Sequence, residues 1–146
     1  MRASEFIAES LDVSFPYTWQ EKSSDSWYAV VDSNEIKMDL HAYVINDRGW
    51  EISWERDGAV GRIKTDPTLA RKIIATVTDM VSEFVNTVKP EYVFLSTTTQ
   101  DSGKASLFFR ILEKLGYHGH HVSDPAELED YNLYDEYTWY IFEKNS

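Results

Sequence analysis

The spacing of apolar residues changes its period once along this chain, and that change constrains the fold more than any other feature. Between positions 15 and 54, apolar and polar residues alternate, which is typical of strands with one buried face and one face in water. From Leu69 to Val88 the apolar residues recur at spacings of three and four, which is typical of an amphipathic helix. Strands followed by helices predict an α+β protein.

Four strands are predicted in the alternating region. The residues expected on their buried face are Phe15, Tyr17 and Trp19; Trp27, Ala29 and Val31; Ile36, Met38, Leu40, Ala42 and Val44; and Trp50, Ile52 and Trp54. Asn46-Asp47-Arg48-Gly49 is a short hairpin loop with glycine at its end, so the third and fourth strands are expected to pair antiparallel. The four strands together predict an antiparallel meander.

The helical pattern has clear start and stop signals. Asp66 is a good N-cap and Pro67 suits the first helical position, while Pro90 stops the helix. The spacing predicts a helix of about six turns. The residues expected to pack on the sheet from the centre of this helix are Val77, Met80, Val81 and Phe84.

The remainder of the chain predicts three more strands and a second helix. A continuously apolar run at 92–95 predicts a central strand that is buried on both faces. The second helix is expected to end at Gly116, where a left-handed cap is favourable. Strands near 117–122 and 137–142 follow, joined by an acidic loop. The predicted order is ββββ-α-β-α-β-β, a mixed and mainly antiparallel sheet flanked by two helices.

Length and charge limit the classes of partner. The 146 residues are expected to form a single domain at 11–146 behind a short N-terminal segment at 1–10. A formal charge of −11 repels phosphate backbones and anionic membranes, so direct binding of nucleic acid or membrane is not expected. No apolar run approaches the roughly 18–20 residues of a membrane span. The absence of cysteine excludes disulfides and thiolate nucleophiles.

The predicted order, with a long helix, a buried strand and a helix that ends in Leu-Gly-Tyr, resembles the second half of the GNAT acetyltransferase fold. The closest local similarity is the segment 111–117, Ile-Leu-Glu-Lys-Leu-Gly-Tyr, and the resemblance covers about residues 50–142. It implies that backbone N–H groups at the start of the long helix hold the pyrophosphate of acetyl-CoA. It also implies a tyrosine that protonates the departing thiolate.

This sequence departs from that family at both positions. At the start of the long helix, Asp66 brings a negative charge towards the phosphates and Pro67 removes one N–H donor. The position of the family's tyrosine is Leu112, which cannot transfer a proton. The sequence therefore predicts no catalytic residue, no cofactor-binding residue and no cofactor.

Three stretches of the chain also resemble small uncharacterised proteins of tailed phages. In those proteins, as at 70–77 and 89–94 here, a long helix leads into a Lys-Pro-acid turn and a buried strand. The stretch 105–111 is similar to the second helix that follows in them. This resemblance covers about half of the chain and implies a phage source.

The N-terminal segment at 1–10 is similar to the capsid-targeting leader of internal head proteins of large contractile-tailed phages. A prohead protease cuts such leaders after an Ile/Leu-x-Glu tripeptide, which here is Ile7-Ala8-Glu9. The similarity implies a location in the host cytoplasm or in the interior of the phage head. The alternative is an ordinary amphipathic first turn that docks onto the sheet.

A cluster of histidines is the nearest approach to a metal site. On a strand, His118 and His120 share a face, where Asp124 or Glu127 could complete a set of ligands. A catalytic metal takes three well-placed ligands, and nothing in the sequence orients these. No metal site is therefore predicted.

Acidic and aromatic residues are interleaved between positions 124 and 139. Aromatic rings among carboxylates suit the recognition of a basic protein surface, because rings anchor the contact and charges steer the approach. The predicted partner-binding residues are Glu127, Glu129, Asp130, Tyr131 and Tyr134. The segment is expected to contribute little to the core. The alternative to a binding role is a solvated loop on an already acidic protein.

These observations favour a phage-encoded accessory protein, a candidate for packaging in the head, that has a catalytically incompetent GNAT-like domain and binds a protein of the host or the phage. One alternative is a divergent acyl-CoA-dependent N-acetyltransferase, for which Gly58, Gly61 and Arg62 are the nearest candidates for a phosphate loop. The other is an acidic decoy or inhibitor of a host nucleic-acid-binding or defence protein.

Overall fold

The computed structural model describes residues 14–34, 36–56, 59–60, 67–97, 102–133 and 137–145. Eight strands and three helices lie in these residues: β1 (Tyr17–Lys22), β2 (Ser26–Val31), β3 (Met38–Asn46), β4 (Gly49–Arg56), β5 (Ala59–Val60), α1 (Pro67–Val88), β6 (Tyr92–Thr97), α2 (Ser102–Lys114), β7 (Tyr117–Val122), α3 (Pro125–Asp130) and β8 (Thr138–Lys144). The sequence-predicted residues that lie outside the described ranges are Ile7, Ala8, Glu9, Gly58, Gly61, Arg62, Asp66 and Tyr134.

The strands form one sheet in the order β1-β2-β3-β4-β6-β8-β7, with β5 beside the end of β4. Neighbouring strands pair antiparallel except β4 and β6, which are parallel. The predicted α+β class and the mixed, mainly antiparallel sheet are therefore confirmed. The short strand β5 and the helix α3 are additions to the predicted order.

The two long helices share one core on one face of the sheet, rather than flanking the sheet on both faces. Phe84 of α1 and Phe108 of α2 are fully buried and join the same cluster as Trp27 and Trp54 of the strands. The predicted packing of the α1 centre is confirmed, because its four residues are fully buried: Val77, Met80, Val81 and Phe84. Among the described residues, no helix is long and apolar enough to cross a lipid bilayer.

Part of the other face is covered by α3, where the sequence predicts a loop. That prediction is wrong for the residues Pro125–Asp130, which form a short helix. The carboxylate of Asp124 accepts a hydrogen bond from the Ala126 N–H at 2.9 Å, and proline follows it in the first turn, so a standard N-cap begins the helix. A second, smaller core cluster lies beneath it: Phe94, Val122, Trp139 and Ile141.

The parallel pairing between β4 and β6 is short. Its three residue pairs are Gly49 with Tyr92, Trp50 with Val93 and Glu51 with Phe94. The last residues of β4 pair with β5, and β6 pairs along its length with β8. Within the described ranges, the C-terminal ends of β4 and β6 therefore share no backbone pairs.

Candidate protein-binding site

The acidic segment is held on the sheet by Tyr131, the residue that caps α3. The Tyr131 ring lies 5.6 Å from the Phe94 ring and 5.7 Å from the Tyr92 ring, measured between centroids. The Arg48 guanidinium lies 4.9 Å above the same ring, and the Asn46 amide donates a hydrogen bond to the Tyr131 carbonyl at 2.7 Å. Tyr131 is half-buried and packs against the smaller core cluster, so the prediction that this segment contributes little to the core is wrong for Tyr131.

The carboxylates of α3 have different surroundings. Glu127 Oε2 lies 2.7 Å from His120 Nε2, and Asp130 Oδ2 lies 3.3 Å from Arg48 Nη1. The charge of Asp130 raises the pKa of Arg48 above its ordinary value. Glu129 is exposed, and its side chain makes no hydrogen bond or ion pair within the part of the chain that the structure describes. Exposed ion pairs stabilise a fold only weakly, so the acids of α3 remain available to a partner.

The structure brings four of the five predicted partner-binding residues together on one side of the sheet. Glu127, Glu129 and Asp130 belong to α3, and Tyr131 follows directly. Because Tyr131 is fixed by its ring contacts, the acids are presented in a defined arrangement rather than on a free loop. A fixed arrangement lowers the ordering cost of association.

The histidine cluster is spread over separate contacts. His118 Nδ1 lies 2.6 Å from the Asn145 side-chain oxygen, whereas His120 contacts Glu127. Among the residues that the structure describes, no group of three or more His, Asp or Glu side chains is arranged to hold a metal ion.

Strands β2, β3 and β4 present a second polar surface, which we call the open face. It consists of the side chains that alternate with the core residues of these strands: Ser26, Tyr28, Asp39, His41, Tyr43, Glu51, Ser53 and Glu55. The Ser26 hydroxyl lies 2.9 Å from His41 Nε2, and the His41 ring lies 4.8 Å from the Tyr43 ring. Sequence reasoning missed this surface, although aromatic residues on the polar side of a strand are a usable signal.

Glu51 is the buried acid of the open face. Its side chain is only 8% exposed, and Oε2 accepts a hydrogen bond from the Ser96 hydroxyl at 2.8 Å. Burial, together with the charge of Glu51, raises the pKa of the Tyr43 hydroxyl above its ordinary value. Glu51 pairs with Phe94, which is the last of the three parallel pairs between β4 and β6.

Comparison with protein-family models, with curated proteins and with solved structures finds no match to this chain. A fold by itself does not define an activity. The function is therefore inferred from the chemistry of these two surfaces and of the two long helices.

The structure also places two residues of the long helices that the sequence resemblance singles out, Pro67 and Leu112. Pro67 is the first residue of α1, so this helix begins with a residue that has no N–H. Leu112 of α2 is fully buried in the core. Pro67 has no backbone N–H where the GNAT resemblance implies one for a phosphate, and Leu112 has no hydroxyl where it implies a tyrosine.

Proposed function

We propose that this chain is a phage-encoded accessory protein whose GNAT-like domain does not transfer acetyl groups and acts by binding a protein. The observation that carries this proposal is the acidic helix α3, fixed on the sheet by Tyr131 with Glu129 exposed. The protein acts in the host cytoplasm or, when packaged, inside the phage head. The packaging rests on the leader-like tripeptide Ile7-Ala8-Glu9.

The order of elements supports a GNAT-like domain. From β4 onward, a strand, a long helix, a strand, a second helix and two final strands follow one another as the resemblance implies, with β5 and α3 as insertions. The lack of acetyl transfer is supported by Pro67 at the helix start and by the buried Leu112. A domain of this kind retains the scaffold and uses its surface for another purpose.

The acids of α3 suit a basic protein. Carboxylates at the rim of an interface steer oppositely charged partners and raise the rate of association. The chain carries a formal charge of −11, which strengthens the long-range attraction to a basic surface. An acidic inhibitor of a nucleic-acid-binding protein is one special case, because such a protein exposes a basic surface to its ligand.

The variant Glu127→Ser/Glu129→Ser/Asp130→Ser is expected to capture less partner from host lysate than the parent. With the captured partner purified, the association rate at low salt is expected to fall by about tenfold because steering charges are lost. The association rate of the parent is expected to fall as salt rises, since screening shortens the reach of the charges. Surface-immobilised binding kinetics measure both effects.

The matched control is Glu113→Ser, which removes an exposed acid from α2 on the other side of the sheet. It is expected to associate nearly as fast as the parent. Equal association rates for the triple variant, the control and the parent would show that α3 is not the binding surface.

Titration with acetyl-CoA is expected to show no binding at physiological cofactor concentrations. Pro67 removes a backbone donor at the start of α1, and Asp66 adds a negative charge beside it. Isothermal titration calorimetry measures this directly. A dissociation constant in the micromolar range would contradict the proposal and make Arg62, Gly58 and Gly61 the first residues to replace.

The second candidate function is a divergent acyl-CoA-dependent N-acetyltransferase. The observation that favours it is the end of the β4–β6 pairing, where the buried carboxylate of Glu51 lies beside the Ser96 hydroxyl. Two strands that separate leave room for a ligand, and a buried carboxylate is a candidate proton acceptor for an amine. The same titration with acetyl-CoA separates the two functions.

A further inference from the structure

A cavity of about 390 Å³ opens where the connection between β2 and β3 meets the end of β4. Val30, Ile36 and Met38 give it apolar walls, and the side chains of Asp39 and Glu55 line it as well. Its volume lies in the range of roughly 300–1,000 Å³ that is typical of ligand pockets. None of these five residues belongs to α3 or to β6, so this is a separate place on the protein.

Asp39 and Glu55 lie directly opposite each other on β3 and β4. Opposite residues of antiparallel strands have Cβ atoms about 4.5–5.5 Å apart, and like charges at that distance destabilise a sheet. Glu55 is exposed and Asp39 is half-buried. The pair therefore concentrates negative charge at the cavity at some expense in stability.

The surroundings of this pair are consistent with a net negative cavity. The Tyr28 hydroxyl donates a hydrogen bond to Asp39 Oδ2 at 3.0 Å. That bond is the first cause of the raised pKa of Tyr28, followed by burial and by the charges of Asp39 and Glu55. Lys37 also lines the cavity and has an interaction of its own. The two carboxylates of Asp39 and Glu55 outnumber the one ammonium group of Lys37, so the charged residues that line the cavity carry a net negative charge.

We propose that this cavity accepts a lysine or arginine side chain of a partner protein. The cationic head lies between Asp39 and Glu55, and the aliphatic stem packs against Val30, Ile36 and Met38. Lysine and arginine combine a charged head with an apolar stem, which matches a cavity that combines carboxylates with apolar walls. The inference rests on the proposed protein-binding function and adds the chemistry of one partner side chain at a second place on the protein.

The probe for this site is the capped pentapeptide Gly-Gly-Lys-Gly-Gly, with norleucine in place of lysine as its uncharged counterpart. Titration of the lysine peptide into the isotopically labelled protein is expected to give saturable shifts of the backbone amide resonances around the cavity. The norleucine peptide is expected to give none at the same concentration. Equal shifts with both peptides would overturn the proposal, because the site would then recognise no charge.

The decisive variant is Asp39→Asn/Glu55→Gln, which removes both charges and keeps the shapes. Its affinity for the lysine peptide is expected to fall by about tenfold or more, because hydrogen bonds to charged groups are lost. The variant is expected to fold, since asparagine still offers Tyr28 an acceptor and the repulsion between the acids is gone. Lys37→Met is expected to bind the peptide more tightly than the parent. Unchanged affinity in the double variant would overturn the proposal.

Two further measurements distinguish this proposal from binding of a free amine and from partner binding through α3. n-Butylamine carries the four-carbon stem and the single ammonium group of lysine without a peptide, and saturation by n-butylamine at a concentration about tenfold below that of the peptide would overturn the assignment to a protein side chain. The α3 variant Glu127→Ser/Glu129→Ser/Asp130→Ser is expected to bind the lysine peptide as the parent does. Failure of partner capture through α3 is therefore distinguishable from failure of the cavity.

Discussion

Replacing Phe84 with alanine is expected to lower the free energy of unfolding by about 3–5 kcal/mol. Phe84 is fully buried, and its ring meets the Trp27 and Trp50 rings edge-on at centroid distances of 5.5 and 5.1 Å. Alanine would remove the apolar area and leave a cavity between α1 and the sheet that two large indole rings cannot close. Urea unfolding followed by tryptophan fluorescence and by circular dichroism measures the change.

The matched control is Asn86→Ala, two residues further along α1. Asn86 is exposed, so its replacement is expected to change the free energy of unfolding by no more than about 0.5 kcal/mol. A Phe84→Ala variant that unfolds at the same urea concentration as Asn86→Ala would show that this face of α1 does not pack on the sheet.

The elements with strong local signals were predictable from sequence. The period of three and four, closed by Pro67 and Pro90, places α1 correctly because proline acts on the residues next to it. The alternation along β3 and β4 places most of their core residues correctly because side chains of a strand point to opposite sides. The prediction is wrong for Val44, which is 39% exposed and lies beside the irregularity between Val44 and Asn46. Such signals depend only on nearby residues, so they predict the element correctly even when the fold is not known.

The helix α3 was missed for a different reason. Asp124 followed by Pro125 is a local N-cap signal of the same kind, but the high content of acidic residues in this segment favours a solvated loop. The insertion of β8 between β6 and β7 has no local signal, because it depends on pairing between distant segments. The contact of Tyr131 with Phe94 follows from that pairing and was likewise out of reach.

The pairing of Asp39 with Glu55 at the cavity depends on one extra residue in β3. The sequence predicts the hairpin at 46–49, and an unbroken ladder from the pair of Asn46 and Gly49 would place Asp39 opposite Arg56. An irregularity between Val44 and Asn46 inserts one residue into β3 and shifts the pairing. Asp39 therefore lies opposite Glu55 and not opposite Arg56, so two like charges face each other where the unbroken ladder would pair opposite charges. Hairpin signals alone do not reveal such a shift.

Replacing Gly49 with alanine is expected to destabilise the protein by about 2–3 kcal/mol. A Cβ atom at this position would lie 2.3 Å from the Tyr92 carbonyl oxygen and 2.9 Å from the Phe94 ring. The carbonyl belongs to the backbone of β6, so the clash is relieved only when β4 and β6 move apart. Urea unfolding measures the loss, and hydrogen exchange is expected to show faster exchange of the amides in these two strands.

Gly116→Ala separates steric clash from backbone conformation. Gly116 has a φ of 96° and no atom within 4 Å of an added Cβ, so alanine there meets strain of about 1–2 kcal/mol but no neighbour. It is expected to leave exchange in β4 and β6 unchanged. If Gly49→Ala lowers stability no more than Gly116→Ala and leaves that exchange slow, then β4 and β6 do not pack as closely as the three parallel pairs require. Glu51, two residues beyond Gly49, would then lose the neighbour that buries it, and the second candidate function would lose its site.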